Sequence, residues 1–487
     1  MIKKTPDKHT FEVGLIPAAG EGIRAYPSTS MTSKTLFEVG ERSLLQRNIE
    51  LMRDKLGLQK IYIIVGHFAS LIKDKLGNGA NLGIDIEYIQ CRDISAGLAM
   101  GIYLAKDIIK SDFVVILGDE LYLNSNHEDL LSFSDADFNA VCGVKVTGNI
   151  ALIKKNYSVQ IESDSIVSLI EKPVLVENNF MGCGTYLFTP KIFKYIENTS
   201  PSSVTNRVEL TDVINNMTKK ESGVYPLFLK GRYSNINTIE DLNSTTYIYR
   251  SEMYKDYKTS LIIPAYNEEA SIGYVIDEFR NSVDEVLVVD NCSVDNTASI
   301  AENKGARVLT KKLKGYGDAL KYGMDNASGD IFILTEADAS FSVGDLPKIV
   351  EYLKDCDMVI GTRTTRQMVE QGANMGTVLR WGNVFAAKLV ELLWIYLEPR
   401  FTDVGCTYRG IWKDAYLNIR DQLIGTGPEF SPEMMVEILR ARQKVIEIPV
   451  TYRARIGGLS KHSGDLYGIC KTAFKMALIV LRKRFNI

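Results

Sequence analysis

The chain is predicted to be an α/β protein with two doubly wound, mostly parallel, Rossmann-like sheets in series. Two observations carry this. Short apolar runs alternate with helical stretches along both halves, as strands do when crossover helices join them. The 487 residues also exceed what one hydrophobic core ordinarily serves, so two or three domains are expected.

In the first half, residues 13–16 read as a short buried strand and 44–56 as a helix. Strands follow at 61–65 and 113–117, the latter running into Gly118-Asp119. The second half repeats the style, with strands at 260–263, 285–289 and 331–334. The expected domains are 11–245 and 259–470, with a basic amphipathic helix at 471–487. Between the domains, 245–258 is polar and tyrosine-containing and lacks the Gly, Ser or Pro bias of a tether, so it reads as a structured, helical connector. In open sheets of this kind ligands bind beyond the carboxyl ends of the strands.

Composition narrows the partners. Hydrophobic content of 45% with 24% charged residues is that of a soluble globular protein. A net charge of -3 gives no basic surplus for nucleic acid. The seven cysteines (Cys91, Cys142, Cys183, Cys292, Cys356, Cys406, Cys470) form no CxxC pair, and they read as packing thiols of a cytoplasmic protein. No apolar run is long enough to span a bilayer. The tail sets Phe474, Met476, Leu478, Ile479, Val480 and Leu481 among Lys471, Lys475, Arg482, Lys483 and Arg484. Such a helix either lies on an anionic membrane surface or docks on the core with its charges in water. Trp381, Trp394 and Trp412, with Leu379, Leu389, Leu392, Leu393 and Ile395, read as core, as do Met434 and Met435; His462 reads as a surface group.

After the first strand comes Ala19-Gly20-Glu21-Gly22-Ile23-Arg24, and then Lys34. Glycines let backbone N–H groups approach phosphate oxygens, while the arginine and lysine offset accumulating negative charge. By itself the loop is a weak signal, but later motifs support it in order: Ser95-Ala96-Gly97, Gly118-Asp119-Glu120, Glu171-Lys172-Pro173, Gly182-Cys183-Gly184 and Glu209-Leu210-Thr211-Asp212. That series resembles the sugar-1-phosphate nucleotidyltransferases over residues 13–242. The resemblance implies that a sugar-phosphate oxygen attacks the α-phosphorus of an NTP and expels pyrophosphate. It assigns Gly20, Gly22 and Arg24 to the NTP phosphates, Lys34 to the α-phosphate and Asp119 to Mg²⁺. Glu171 and Lys172 fall to the sugar phosphate, Gly97 to the nucleoside and Gln90 to the base. One departure stands out. In Tyr233-Ser234-Asn235-Ile236-Asn237-Thr238 an amide, Asn235, replaces the family's second metal carboxylate. A nucleotide sensor, or an enzyme activating a phospho-alcohol as cytidylyltransferases do, therefore stays open beside sugar activation.

In the second half a strand ends in Pro264-Ala265-Tyr266-Asn267-Glu268-Glu269, and the next in Asp290-Asn291-Cys292-Ser293. The third runs into Thr335-Glu336-Ala337-Asp338. Two acids flanking one residue at a strand end suit Mg²⁺ or Mn²⁺ on a diphosphate. These motifs, with Ile360-Gly361-Thr362-Arg363, Thr402-Asp403-Val404-Gly405 and Arg455-x-x-Gly458-x-Ser460-Lys461, are similar to family 2 glycosyltransferases of GT-A fold, and most of all to polyprenyl-phosphate sugar synthases. The resemblance implies that Pro264, Tyr266, Glu268 and Asp290 bind the nucleotide of a nucleotide sugar, and that Glu336 and Asp338 hold the metal. Arg363, Arg409, Arg455, Ser460 and Lys461 would meet donor or acceptor phosphates, and the glycosyl group would transfer with inversion. A polyprenyl phosphate acceptor needs no general base; a hydroxyl acceptor needs one, for which Asp403 or Glu429 are the candidates.

Overall fold

The computed structural model describes residues 11, 13–20, 22, 32–134, 136–203, 205–220, 223–456 and 466–485. The chain divides into two compact units between Tyr249 and Arg250, inside the helix Ile239–Met253. The expected connector is thus helical, and a short 3-10 turn, Tyr254–Asp256, continues it.

The first unit is built on a nine-stranded sheet. Along its main path the order is Ser165–Glu171, Tyr157–Glu162, Phe180–Phe188, Phe113–Ile116, Val13–Pro17, Lys60–Val65 and Asp85–Gln90. The last four pair in parallel. Their apolar runs are continuous because helices cover both faces: Leu15, Ile16, residues 61–65 and 113–116 are all buried. Phe180–Phe188 joins this half to an antiparallel one, pairing with Phe113–Ile116, Ala140–Val146 and Tyr157–Glu162. The sheet is therefore mixed, whereas the sequence signals only its parallel half. Close approach inside it needs Gly182, where a Cβ would fall 1.8 Å from the Tyr157 ring. Helix Leu44–Leu56 begins where expected because Ser43 and Gln46 form a capping box, and it ends at Gly57 with φ 70°.

The second unit has a seven-stranded sheet in the order Arg307–Thr310, Glu285–Asp290, Thr259–Ala265, Ile331–Leu334, Arg409–Trp412, Met358–Thr362 and Val445–Pro449. The first four are parallel, and Arg409–Trp412 runs antiparallel to both neighbours. All of Thr259–Ala265, Glu285–Asp290 and Ile331–Leu334 point their carboxyl ends at one edge, and the acidic motifs follow there.

Helix Thr377–Leu393 departs from the expected core. Trp394 and Trp412 are buried, as are Met434 and Met435, but Trp381 is 62% exposed and Leu392 and Ile395 are exposed with it. The helix buries only Ala387 and Val390 and turns a broad apolar face outward. Five cysteines are buried and Cys292 is exposed, while the burial of Cys470 and the position of His462 lie outside the described residues. The tail forms the helix Leu466–Phe485, and among the described residues no helix is long and apolar enough to cross a membrane.

Candidate active sites

In the first unit, Gly20 and Gly22 follow the strand Val13–Pro17, while Arg24 lies outside the described residues. Lys34 opens a 3-10 turn capped by Ser33. Its Nζ lies 2.5 Å from Asp119 Oδ2 and donates to Asn237 Oδ1 at 3.3 Å. A chain of amides continues from there. Asn237 Nδ2 donates to Asn235 Oδ1 at 2.8 Å, and Asn235 Nδ2 to Asn156 Oδ1 at 3.0 Å. The backbone oxygen of Asn156 accepts from the N–H of Lys172 at 2.9 Å, and Lys172 has φ 43°. Lys34, Asp119, Asn235 and Lys172 thus meet through Asn156 and Asn237, which the motif reading missed. Asn237 was two residues from a named position; Asn156 carries no local signal, because only the fold brings it there.

The pairing of Glu120–Leu123 with Arg232–Asn235 places Asn235 opposite Glu120, and Ile236 N donates to Asp119 O at 3.0 Å. Asp119, in the turn just before Glu120–Leu123, and Asn235 on the paired strand are thus one charged and one neutral hard oxygen donor at neighbouring positions, a set that fits Mg²⁺. Glu120 points the other way. It is fully buried and accepts from Tyr122 at 2.5 Å, Tyr233 at 2.6 Å and Gly184 N at 2.8 Å. Burial, reinforced by the charge of Asp119, pushes it up to about 7. Further inside, His127 contacts Ser125 Oγ at 2.7 Å and Thr185 Oγ1 at 3.0 Å, and burial lowers it to about 4. Burial also raises Glu171, whose Oε1 is 3.7 Å from Lys172 Nζ. Gln90 is exposed at the end of its strand, donating to Cys91 O at 3.4 Å. Gly97, with φ 92°, starts the helix Leu98–Tyr103.

In the second unit the strand ends open on a cavity of about 1250 Å³. Pro264, Tyr266, Glu268, Glu336, Asp338 and Arg455 line its polar end. Glu336 accepts from Thr407 Oγ1 at 2.6 Å, and Thr407 accepts from Tyr316 at 2.6 Å. Burial first, then the neighbouring Asp338 charge, push Glu336 up to about 7. Asp338 Oδ2 is 2.6 Å from Arg455 and its Oδ1 accepts from Ser340 N at 3.0 Å. A buried carboxylate whose ionisation is opposed by a neighbouring acid charge belongs to a donor set that a divalent cation relieves. Among the described residues no cluster of three or more His, Cys, Asp or Glu could by itself hold a metal ion.

Four of the residues assigned from the sequence, Asp403, Arg363, Arg409 and Asp290, are engaged elsewhere in the structure. Asp403 is completely buried and clamped by Arg363 through Nε at 2.8 Å and Nη2 at 2.9 Å, with the N–H groups of Arg363 and Gly405 each at 3.0 Å. The arginine charge and these hydrogen bonds hold Asp403 below its ordinary range despite burial, so it is a poor base. Arg363, although it lines the cavity, has its guanidinium committed to this pair. Arg409 is equally buried, and it donates to the carbonyls of Cys406, Ser431 and Val404 at 2.7, 2.6 and 3.2 Å, fastening a loop to the helix Phe430–Arg440. Asp290 turns inward to accept from Ser293 N and Oγ, and Asn291 lines the cavity in its place. Glu429, the other base candidate, accepts from Gly427 N at 2.9 Å, while Ser460 and Lys461 lie outside the described residues.

The cavity continues between helices Thr377–Leu393 and Leu466–Phe485, past Leu379, Phe385, Leu389, Phe474 and Met476. Phe385 and Phe474 are 75% and 69% exposed, so this apolar end opens at the surface.

Residues 13–252 match the family model described as Nucleotidyl transferase, and 260–416 match Glycosyl transferase family 2. An uncharacterized glycosyltransferase from Mycobacterium bovis is 32% identical over 210 residues, 43% of this chain and 91% of the relative. The bifunctional protein GlmU of Methanococcus aeolicus is 29% identical over 245 residues, 49% of this chain and 54% of the relative, so the chain spans about half of that protein. An undecaprenyl-phosphate mannosyltransferase from Micrococcus luteus is 29% identical over 222 residues, 42% of this chain and 88% of the relative.

Proposed function

We infer that this chain, which belongs to the nucleotidyl transferases through its first unit and to glycosyl transferase family 2 through its second, makes a nucleotide sugar and transfers its glycosyl group to a lipid phosphate. The observation that carries the acceptor is the cavity with an acidic end and an apolar end. In the first unit, Lys34 neutralises charge at the α-phosphorus while Lys172 and Glu171 orient the sugar phosphate for in-line attack, and pyrophosphate leaves. Asp119 and Asn235 in the first unit, and Glu336 and Asp338 in the second, would hold Mg²⁺ or Mn²⁺, which would supply charge neutralisation on phosphate oxygens.

In the second unit, Pro264, Tyr266 and Glu268 hold the nucleotide and Arg455 faces the diphosphate. A phosphate oxygen of the acceptor attacks the anomeric carbon and the nucleoside diphosphate departs, with inversion. An anionic nucleophile needs no base, and this agrees with Asp403 being committed to Arg363. The name of the Micrococcus luteus relative supports the same acceptor class. The exposed apolar face of Thr377–Leu393, beside Phe474 and the basic Lys471, Lys475 and Arg482, supports contact with an anionic membrane surface at the chain's working site.

The test is pyrophosphate release across a matrix of NTPs and sugar-1-phosphates with Mg²⁺, followed by transfer from the resulting donor to a short isoprenyl phosphate or to a free sugar. One strong pair and isoprenyl transfer are expected. No pyrophosphate from any pair overturns the first half of the reading, and transfer to the free sugar alone overturns the acceptor.

A further inference from the structure

The C-terminal helix Leu466–Phe485 has one cation that does not face water. Lys483 is 9% exposed, and its Nζ lies 2.9 Å from Glu433 Oε1 and 3.0 Å from Glu437 Oε1 while donating to Gln422 O. Glu437 is also paired with Arg440 at 2.9 Å. Glu433 is fully buried, and its oxygens accept from Ile424 N at 3.0 Å and Gly425 N at 2.7 Å.

The loop gripped in this way walls the cavity. Thr426 O accepts from Gly317 N at 2.8 Å, and Leu423 O from Lys321 Nζ at 3.0 Å. Backbone meets backbone here: a Cβ on Gly315 would lie 2.7 Å from Thr426 O, and one on Gly317 2.5 Å from Gly425 O. Thr426, Gly427 and Pro428 line the cavity together with Gly315 and Tyr316.

We propose that Lys483 is a positioning residue for the nucleotide-sugar site: it balances Glu433, which fixes the loop 422–428 against the start of the helix Tyr316–Asn326. The proposal rests on the reading that the donor occupies this end of the cavity. Without Lys483 the carboxylate of Glu433 is buried with no counter-charge from the described residues, a state relieved by turning outward or admitting water. Either movement releases the amides of Ile424 and Gly425, and the wall shifts. Docking of the last turn of the chain is thereby coupled to donor affinity, although Lys483 lies far from the reacting atoms in sequence and touches none of them.

The test is hydrogen exchange on the full chain, titrated with UDP, GDP, CDP and dTDP in Mg²⁺. In the unsubstituted chain the binding diphosphate protects residues 264–268 and 314–319. In Lys483→Met, half-protection requires a roughly 10-fold higher concentration. The amides of Ile424 and Gly425 exchange faster, and protection around Asp119 in the first unit is unchanged. Lys483→Arg keeps the original titration. Should Lys483→Met fail to fold, Lys483→Gln, which also removes the counter-charge and leaves the Glu433 carboxylate in place, carries the same comparison. An unchanged titration in these variants overturns the proposal and leaves the donor reading standing. If no diphosphate protects 264–268 in the unsubstituted chain, the donor reading falls, and the proposal falls with it.

Discussion

Replacing Asp403 with Asn separates an anchoring role from a basic one. The side chain of Asp403 is 0% exposed, that of Arg363 is 11% exposed, and four hydrogen bonds between 2.8 and 3.0 Å converge on the carboxylate. The amide keeps the shape but removes the charge and turns one N–H group toward other donors. Breaking a buried pair from one side costs about 3–5 kcal/mol, most of it the charge left unpaired. In a unit of this size that lowers the melting midpoint by roughly 10 °C. The assay is urea unfolding followed by probes in each unit, since Asp403→Asn must move the second transition and leave the first in place. A neutral pair, Arg363→Met/Asp403→Asn, should recover part of the loss. If Asp403→Asn leaves the second transition within about 1 kcal/mol of the original and glycosyl transfer falls by about 10²-fold or more, Asp403 is a base and the anchoring argument is wrong.

Lys34→Ala removes the cation beside Asp119 and should lower pyrophosphate release by at least about 10²-fold, read in a coupled phosphate assay, with circular dichroism unchanged. His127 is neutral when folded and has a value near 4, against about 6.5 when unfolded, so between those values the unfolded chain holds the extra proton. Stability present above pH 6.5 is therefore lost as pH falls toward 4, by about 3 kcal/mol, and denaturant titrations of His127→Gln should show a flatter dependence. Gly182→Ala drives a methyl into Tyr157, whose hydroxyl is fixed on Cys183 O at 2.9 Å; a loss of about 3 kcal/mol in urea unfolding is expected.

The parallel strands were legible because burial on both faces writes them as unbroken apolar runs, as in 61–65 and 331–334. Their ends were legible too, because the acidic motifs follow them directly. The antiparallel half of the first sheet was less so, since Tyr157–Glu162 and Ser165–Glu171 bury only part of their length and the latter breaks register between Ile166 and Ser168. Positions such as Lys34, Asp119, Glu336 and Asp338 could be named from their motifs. What those motifs did not carry is how each charge is spent at rest. Asp403 and Arg363 are 40 positions apart, and only the fold makes them partners. The resemblance assigns Arg409 to a phosphate, yet three backbone carbonyls take its guanidinium. Trp381 misled in the opposite sense, because hydrophobicity does not distinguish a buried face from one that is left open.

Both units rest with a cation drawn onto the carboxylate proposed for the metal: Lys34 on Asp119 at 2.5 Å, Arg455 on Asp338 at 2.6 Å. A divalent ion arriving alone must evict that cation and leave it beside a new positive charge. An ion that arrives already bound to phosphates brings the evicted cation its next partner. Linkage then makes metal and nucleotide each raise the other's affinity by the same factor. With the metal held as proposed, both units would discriminate against bare cations and admit them as part of a substrate complex.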